Sequence, residues 1–139
     1  MPETYENYRD HSPIVRSGGS NAAGFPKVTT FENTFDAGRR ELEAGDVAEV
    51  LALPPRTYVL GVLVQVLDGE GDAATIDVGD GDDTDRYHED VSVENDGSVF
   101  HDVTGHWYED GDTLDIHMPA EQSIEGARIR IVASVVCYG

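Results

Sequence analysis

Thr57-Tyr58-Val59-Leu60-Gly61-Val62-Leu63-Val64-Gln65-Val66-Leu67 is the stretch on which the fold turns. It is rich in β-branched and aromatic residues, which suit a pleated surface. Gly61 and Gln65 interrupt it, and it falls far short of the roughly 20 apolar residues that a membrane-crossing helix needs. Alternation puts Tyr58, Leu60, Val62, Val64 and Val66 on one face and Thr57, Val59, Gly61, Leu63, Gln65 and Leu67 on the other. Both faces are largely apolar, so this strand is expected at a centre, between two layers or against a neighbouring subunit.

Working outward, Pro54-Pro55 stops a preceding strand at residues 47–53, because two prolines cannot both sit in a central ladder. Residues 28–35 read as another strand through Val28, Thr29, Thr30, Phe31 and Phe35. Between these two, residues 36–45 carry the one helix-favouring composition, weakened by Gly38, and a turn fits them as well as a helix. Downstream, Ile76 and Val78 point inward from a short strand, residues 87–93 are ambiguous, and residues 98–103 and 105–108 are short β candidates. Leu114 and Ile116 share a face near 113–117. A last long strand over 127–138 stacks Ala127, Ile129, Ile131, Ala133, Val135 and Cys137 on one side.

Seven or eight strands punctuated by Gly and Asp turns predict an all-β, two-layer antiparallel β-sandwich, jelly-roll-like, with the first and last long strands at its middle. Residues 1–27 are expected to form an extended N-terminal arm, since Ser17-Gly18-Gly19-Ser20-Asn21-Ala22-Ala23-Gly24 lies at their centre. Residues 28–139 then make up the sandwich domain. Tyr5, Tyr8, Ile14, Val15 and Phe25 are the candidate anchors by which the arm meets a neighbour, and Trp107 and Tyr108 are candidate partner contacts on the domain.

Charge excludes several functions. The 139 residues hold 28 Asp and Glu against 9 Lys and Arg, a formal charge of −19. Such a chain has no basic face for phosphates and is repelled by anionic bilayers, so direct nucleic-acid and membrane binding are not expected. The excess is concentrated: residues 68–125 carry 19 acids and one base, Arg86, leaving 9 acids and 8 bases elsewhere. MPETYENYRD has no basic region followed by an apolar stretch, so no classical secretory signal is expected. Cys137 is the single cysteine and can form neither an internal disulfide nor a cysteine cluster for zinc.

The densest acidic loop offers Asp77, Asp80, Asp82, Asp83 and Asp85 as candidate calcium ligands, because hard cations need several oxygens brought together by a pliant loop. The spacing does not fit an EF-hand, and a solvated turn is the simpler reading. Asp110, Asp112 and Asp115 form a weaker cluster. His88, His101, His106 and His117 lack the close spacing of a zinc motif, and no Gly-x-Ser-x-Gly elbow or phosphate loop is present. The expectation is a protein without catalysis, with calcium as the one candidate cofactor.

Gly45-Asp46-Val47, Leu51-Ala52-Leu53-Pro54-Pro55, the strand from Tyr58, and Ala74-Thr75-Ile76-Asp77-Val78-Gly79-Asp80-Gly81-Asp82-Asp83-Thr84-Asp85-Arg86-Tyr87 together resemble a group of small structural proteins of tailed bacteriophages. Tyr108-Glu109-Asp110-Gly111-Asp112-Thr113-Leu114-Asp115-Ile116 and the final strand are similar too. The resemblance implies a capsid decoration or cement protein. Such a protein would be made in the host cytoplasm, bind the major capsid protein on the outer capsid surface, and act as a homotrimer. A carbohydrate- or calcium-binding sandwich module, including a tail or head fibre component, is the alternative.

Overall fold

The computed structural model describes residues 27–138. The expected arm, with Tyr5, Tyr8, Ile14, Val15 and Phe25, lies outside the described residues except for Lys27. Among the described residues nine strands follow one another: β1 (Lys27–Asp36), β2 (Val47–Leu53), β3 (Thr57–Asp68), β4 (Thr75–Gly79), β5 (His88–Ser92), β6 (Val99–Asp102), β7 (His106–Tyr108), β8 (Asp112–His117) and β9 (Arg128–Cys137). They form two antiparallel sheets. One runs β1-β9-β3-β6, with β7 also pairing β3; the other runs β2-β8-β4-β5.

The ambiguous stretch near residues 87–93 is therefore a strand, β5, and its pairing with β4 is irregular between Ile76 and Val78. The middle of the five-stranded sheet is taken by two long strands, as expected of the strand that starts at Thr57. β9 and β3 hold that place, while β1 pairs on one side only, as its run of half-exposed and exposed residues reflects. Residues 36–45 make turns instead of a helix. Asp36 O accepts the N–H groups of Arg39 and Arg40, and the Leu42 backbone is taken in both directions by Ile124 (3.0 and 2.9 Å). That bridge uses the donor and acceptor a helix would need.

The core lies between the sheets. Val59, Val62, Val64, Val66, Ile129, Ala133 and Val135 from one layer and Ile76, Val78, Leu114 and Ile116 from the other have no exposed surface. Each large aliphatic side chain buried in this way stabilises the fold by roughly 1.5–3 kcal/mol. The alternation expected of β9 holds from Ala127 to Val135.

In β3 the expected faces need correcting. Val62, Val64 and Val66 do not share a side with Tyr58; they lie with Thr57 and Val59, all five fully buried. The cause is a β-bulge. Val59 faces Val135 and Gly61 faces Ser134, so Leu60 is an extra residue in the strand and the phase changes there. Leu60 itself is 40% exposed.

Candidate functional site

β7 is three residues long and displays its middle and last side chains on opposite sides, as strand periodicity requires. Tyr108 points inward and is 5% exposed, whereas Trp107 points outward and is 38% exposed. The two candidate contacts are thus separated. Each is the focus of a different structure.

Inside, Tyr108 reaches the acidic loop between β4 and β5. Asp80 is fully buried and its carboxylate accepts four hydrogen bonds. The backbone N–H groups of Asp82 and Asp83 donate to Oδ1 (2.9 and 2.8 Å), and Arg86 Nε and the Tyr108 hydroxyl donate to Oδ2 (both 2.6 Å). Because Tyr108 gives its proton to Asp80, the Tyr87 hydroxyl 2.5 Å away is the donor to Tyr108. Arg86 Nη1 donates to His106 Nδ1 (3.1 Å), which fixes that ring nitrogen as an acceptor. The loop can close in this way because position 79 is Gly: a Cβ there would lie 2.1 Å from the Asp83 carbonyl oxygen.

Burial opposes ionisation of Asp80, yet Arg86, Tyr108 and the two N–H groups outweigh it and hold the carboxyl below its ordinary 3.8. Burial pushes the Tyr87 phenol up to about 12 and the Tyr108 phenol further. The arrangement is a charged clasp in which every strong group has a partner. It joins the β4–β5 loop of one sheet to β7 of the other.

The remaining candidate ligands make local contacts of their own. Asp77 Oδ1 accepts the Asp90 N–H (2.8 Å) and Asp83 Oδ1 accepts the Asp85 N–H (3.3 Å), while Asp82 and Asp85 are exposed. Among the described residues no group of three or more His, Cys, Asp or Glu side chains is placed to hold a metal ion. Asp115 is 4% exposed and accepts from Thr113 Oγ1 (2.7 Å), with His117 Nε2 at 3.8 Å. Burial raises the Asp115 carboxyl above its ordinary value.

Outside, the two sheets differ in charge. The strands of the four-stranded sheet contain Glu49, Asp77, Glu89, Asp90, Asp112 and Asp115 and no Lys or Arg. Those of the five-stranded sheet contain Glu32, Asp36, Asp68 and Asp102 against Lys27, Arg128 and Arg130, a balance of −1. On its outer face Arg128 pairs with Asp68 (2.9 Å) and Arg130 with Glu32.

At one end of that neutral face an apolar row crosses four strands. Val28 faces Val136, Val136 faces Tyr58, and Tyr58 faces Trp107. Val28 is 62% exposed, and Tyr138, which meets Trp107 edge to face at 5.4 Å, is 46% exposed. The Tyr58 ring lies over Gly105, where a Cβ would come within 2.0 Å of its hydroxyl. Trp107 Nε1 donates to Glu109 Oε1 (3.0 Å), so the indole's polar edge is satisfied while part of the ring stays exposed. Sequence reading singled out Trp107 and missed Val28, Val136, Tyr58 and Tyr138, because only the register of β1, β9, β3 and β7 aligns them.

The fold is similar to that of chains in solved capsid structures, three of which follow. A chain of the cyanophage Pam1 capsid asymmetric unit matches with a TM-score of 0.59 and 20% identity, covering 81% of this chain and 86% of that one. A chain of the acid-stable capsid structure of Helicobacter pylori bacteriophage KHP30 matches at 0.56 and 11%, covering 83% and 95%. A chain of the Ralstonia phage GP4 capsid matches at 0.58 and 20%, covering 82% and 85%. No protein-family model and no curated protein matches the sequence.

Proposed function

We propose that this chain is a non-enzymatic virion structural protein that decorates and stabilises a phage capsid. It binds the major capsid protein and neighbouring copies on the outer surface of the shell. The observation that carries this reading is the fold, which spans more than four-fifths of the chain and recurs in the capsid structures of three phages. The division of charge supports it: a face of −1 can approach another protein at little electrostatic cost, while the acidic side stays in solvent. Repetition over a symmetric shell lets modest contacts sum to firm attachment.

Co-sedimentation with shells assembled from the capsid protein of the same phage tests the reading. The chain is expected to pellet with the shells and to remain bound in 0.5 M salt, since ion pairing between unlike faces, which salt screens, is not what holds it. Light scattering is expected to give three times the 15.1 kDa of the chain. A chain that stays in the supernatant at every salt concentration would sink the proposal.

In this reading the Asp80 loop is a clasp closed by its own donors. Its melting temperature is expected to be the same in chelator and in millimolar calcium. A rise with calcium would mean that Asp77, Asp82, Asp83 and Asp85 share an ion with Asp80.

A further inference from the structure

Exposed apolar surface is concentrated on one side of the sandwich. Among the described residues seven large apolar side chains are exposed, and six of them, Val28, Leu60, Val99, Val103, Trp107 and Tyr138, belong to the five-stranded sheet or to residues that directly continue its strands. The seventh, Val47, lies on the other sheet. One-sided exposure of this kind marks an association surface. The ion pairs of the same face lie toward its other end. Arg130 and Arg128 are six and eight residues from Val136 along β9, roughly 20 and 27 Å at strand spacing, and each already holds a carboxylate, Glu32 and Asp68. A contact confined to the row leaves both pairs in water and meets one further charge, Glu109, at the rim beside Trp107.

Two ways of covering the row with further copies differ in where its ends go. The most exposed members sit at the ends, Val28 on β1 and Tyr138 beside Trp107, while Val136 and Tyr58 between them are half-buried. Face-to-face packing of two copies sets middle against middle and leaves the apolar ends at the wet rim, where interfaces are polar. Closure about a three-fold axis brings the β1 end of one copy to the β7 end of the next. The width of the sheet fits three. Four strands about 4.8 Å apart cover about 19 Å, and three such faces set as the sides of a triangle stand about 5.5 Å from its centre, half of the roughly 10 Å between packed sheets. Each face thus reaches the axis with its own side chains.

We propose that three copies of this chain pack the row ends of their five-stranded sheets around a common three-fold axis, with Val28 of each copy against Trp107 and Tyr138 of the next. This contact is the one through which neighbouring copies meet in the proposed function, on which it rests, and it turns the acidic four-stranded sheets outward, away from one another.

Trp107 is the single tryptophan, so its emission reads the contact while light scattering reads the mass. The full chain is compared with Val28→Asp, Tyr138→Asp and, on the other sheet, Val47→Asp. All three positions are at least 46% exposed, so the changes spare the chain's own core. Far-UV circular dichroism checks that each variant is folded, and if one row variant fails this control the other decides. The native chain and Val47→Asp are expected to have three times the 15.1 kDa of the chain and the same emission maximum. Val28→Asp and Tyr138→Asp are expected to fall to the mass of one chain with a red-shifted maximum, since a carboxylate buried in an apolar contact weakens it by about a hundredfold or more. A native mass of one or two chains overturns the proposal, the second by assigning a face-to-face pair. So does a trimer that either row variant leaves intact, or one that Val47→Asp dissolves equally. A native chain that is monomeric yet pellets with shells overturns this contact alone and leaves the capsid reading standing, whereas a trimer that never pellets does the reverse.

Discussion

Asp80→Ala is expected to lower stability by about 3–5 kcal/mol, the usual cost of removing one partner from a buried charge pair. For a domain of this size that is a fall in Tm on the order of 15 °C. The substitution leaves Arg86 charged in a half-buried site and strands the Tyr108 hydroxyl and two loop N–H groups. Asp80→Asn is expected to lose less, since its amide oxygen keeps one pair of donors but its NH2 faces the other. Tyr108→Phe added to Asp80→Ala is expected to cost less than the sum of the two, because both changes remove the same hydrogen bond. Urea titrations at pH 7 measure all three, and a loss under 1 kcal/mol for Asp80→Ala would show that the clasp is incidental.

The pH dependence has a definite sign. The folded-state pKa of Asp80 lies below 3.8, so the unfolded chain binds its proton first as pH falls. The clasp's contribution is complete above the unfolded value and disappears as pH drops through the folded one. The gap in Tm between the native chain and Asp80→Ala is therefore expected to be constant from pH 5 to 8 and to narrow in acid below 3.8.

Removing one residue from β3 is expected to have opposite outcomes at two nearby positions. Deleting Val64 slides the alternation of one half of the strand and turns Val59 and Val62, or Val66, out of the core. Exposing two buried valines while burying side chains such as Tyr58 or Gln65 costs several kcal/mol, against a total stability of about 5–15 kcal/mol for a typical domain. That chain is expected not to fold. Deleting Leu60 removes the bulge instead: Val59 and Val62 then flank Gly61 and keep their common face. This chain is expected to melt cooperatively with a loss of about 1–2 kcal/mol, mostly from the lost bend. A Leu60 deletion as damaging as the Val64 deletion would refute the bulge.

These two cases show what the amino-acid sequence discloses and what it withholds. In β9 the pattern Ile129, Ile131, Ala133, Val135 is regular, and its buried face could be read without a structure. In β3 every residue near the bulge is apolar or Gly, so no polar residue marks where the phase changes. The partner's register decides it. The same holds for the sites. The acid density of the loop is plain, but its clasp depends on His106, 20 residues beyond Arg86, and Tyr108, 21 beyond Tyr87, and neither carries a spacing signal. The outer row is likewise a product of four strands meeting in register, and single-strand patterns contain no trace of it.

The placement of β9 governs how the chain must fold. It is the last of the nine strands to be synthesised, yet it sits between β1 and β3 and pairs with both along nearly its whole length. Until it arrives, the two strands on either side have no partner for the edges that will face it, and the larger sheet cannot close. Pairing Thr29 with Val135 and Val64 with Ile131 gives the topology a high contact order, and folding in the millisecond-to-second range follows. At about 5–20 residues per second, the ribosome holds the incomplete sandwich for several seconds with apolar strands exposed. The abundance of carboxylates in the segment between β3 and β9 keeps these waiting chains apart, so the negative charge protects the nascent protein before it serves the finished one.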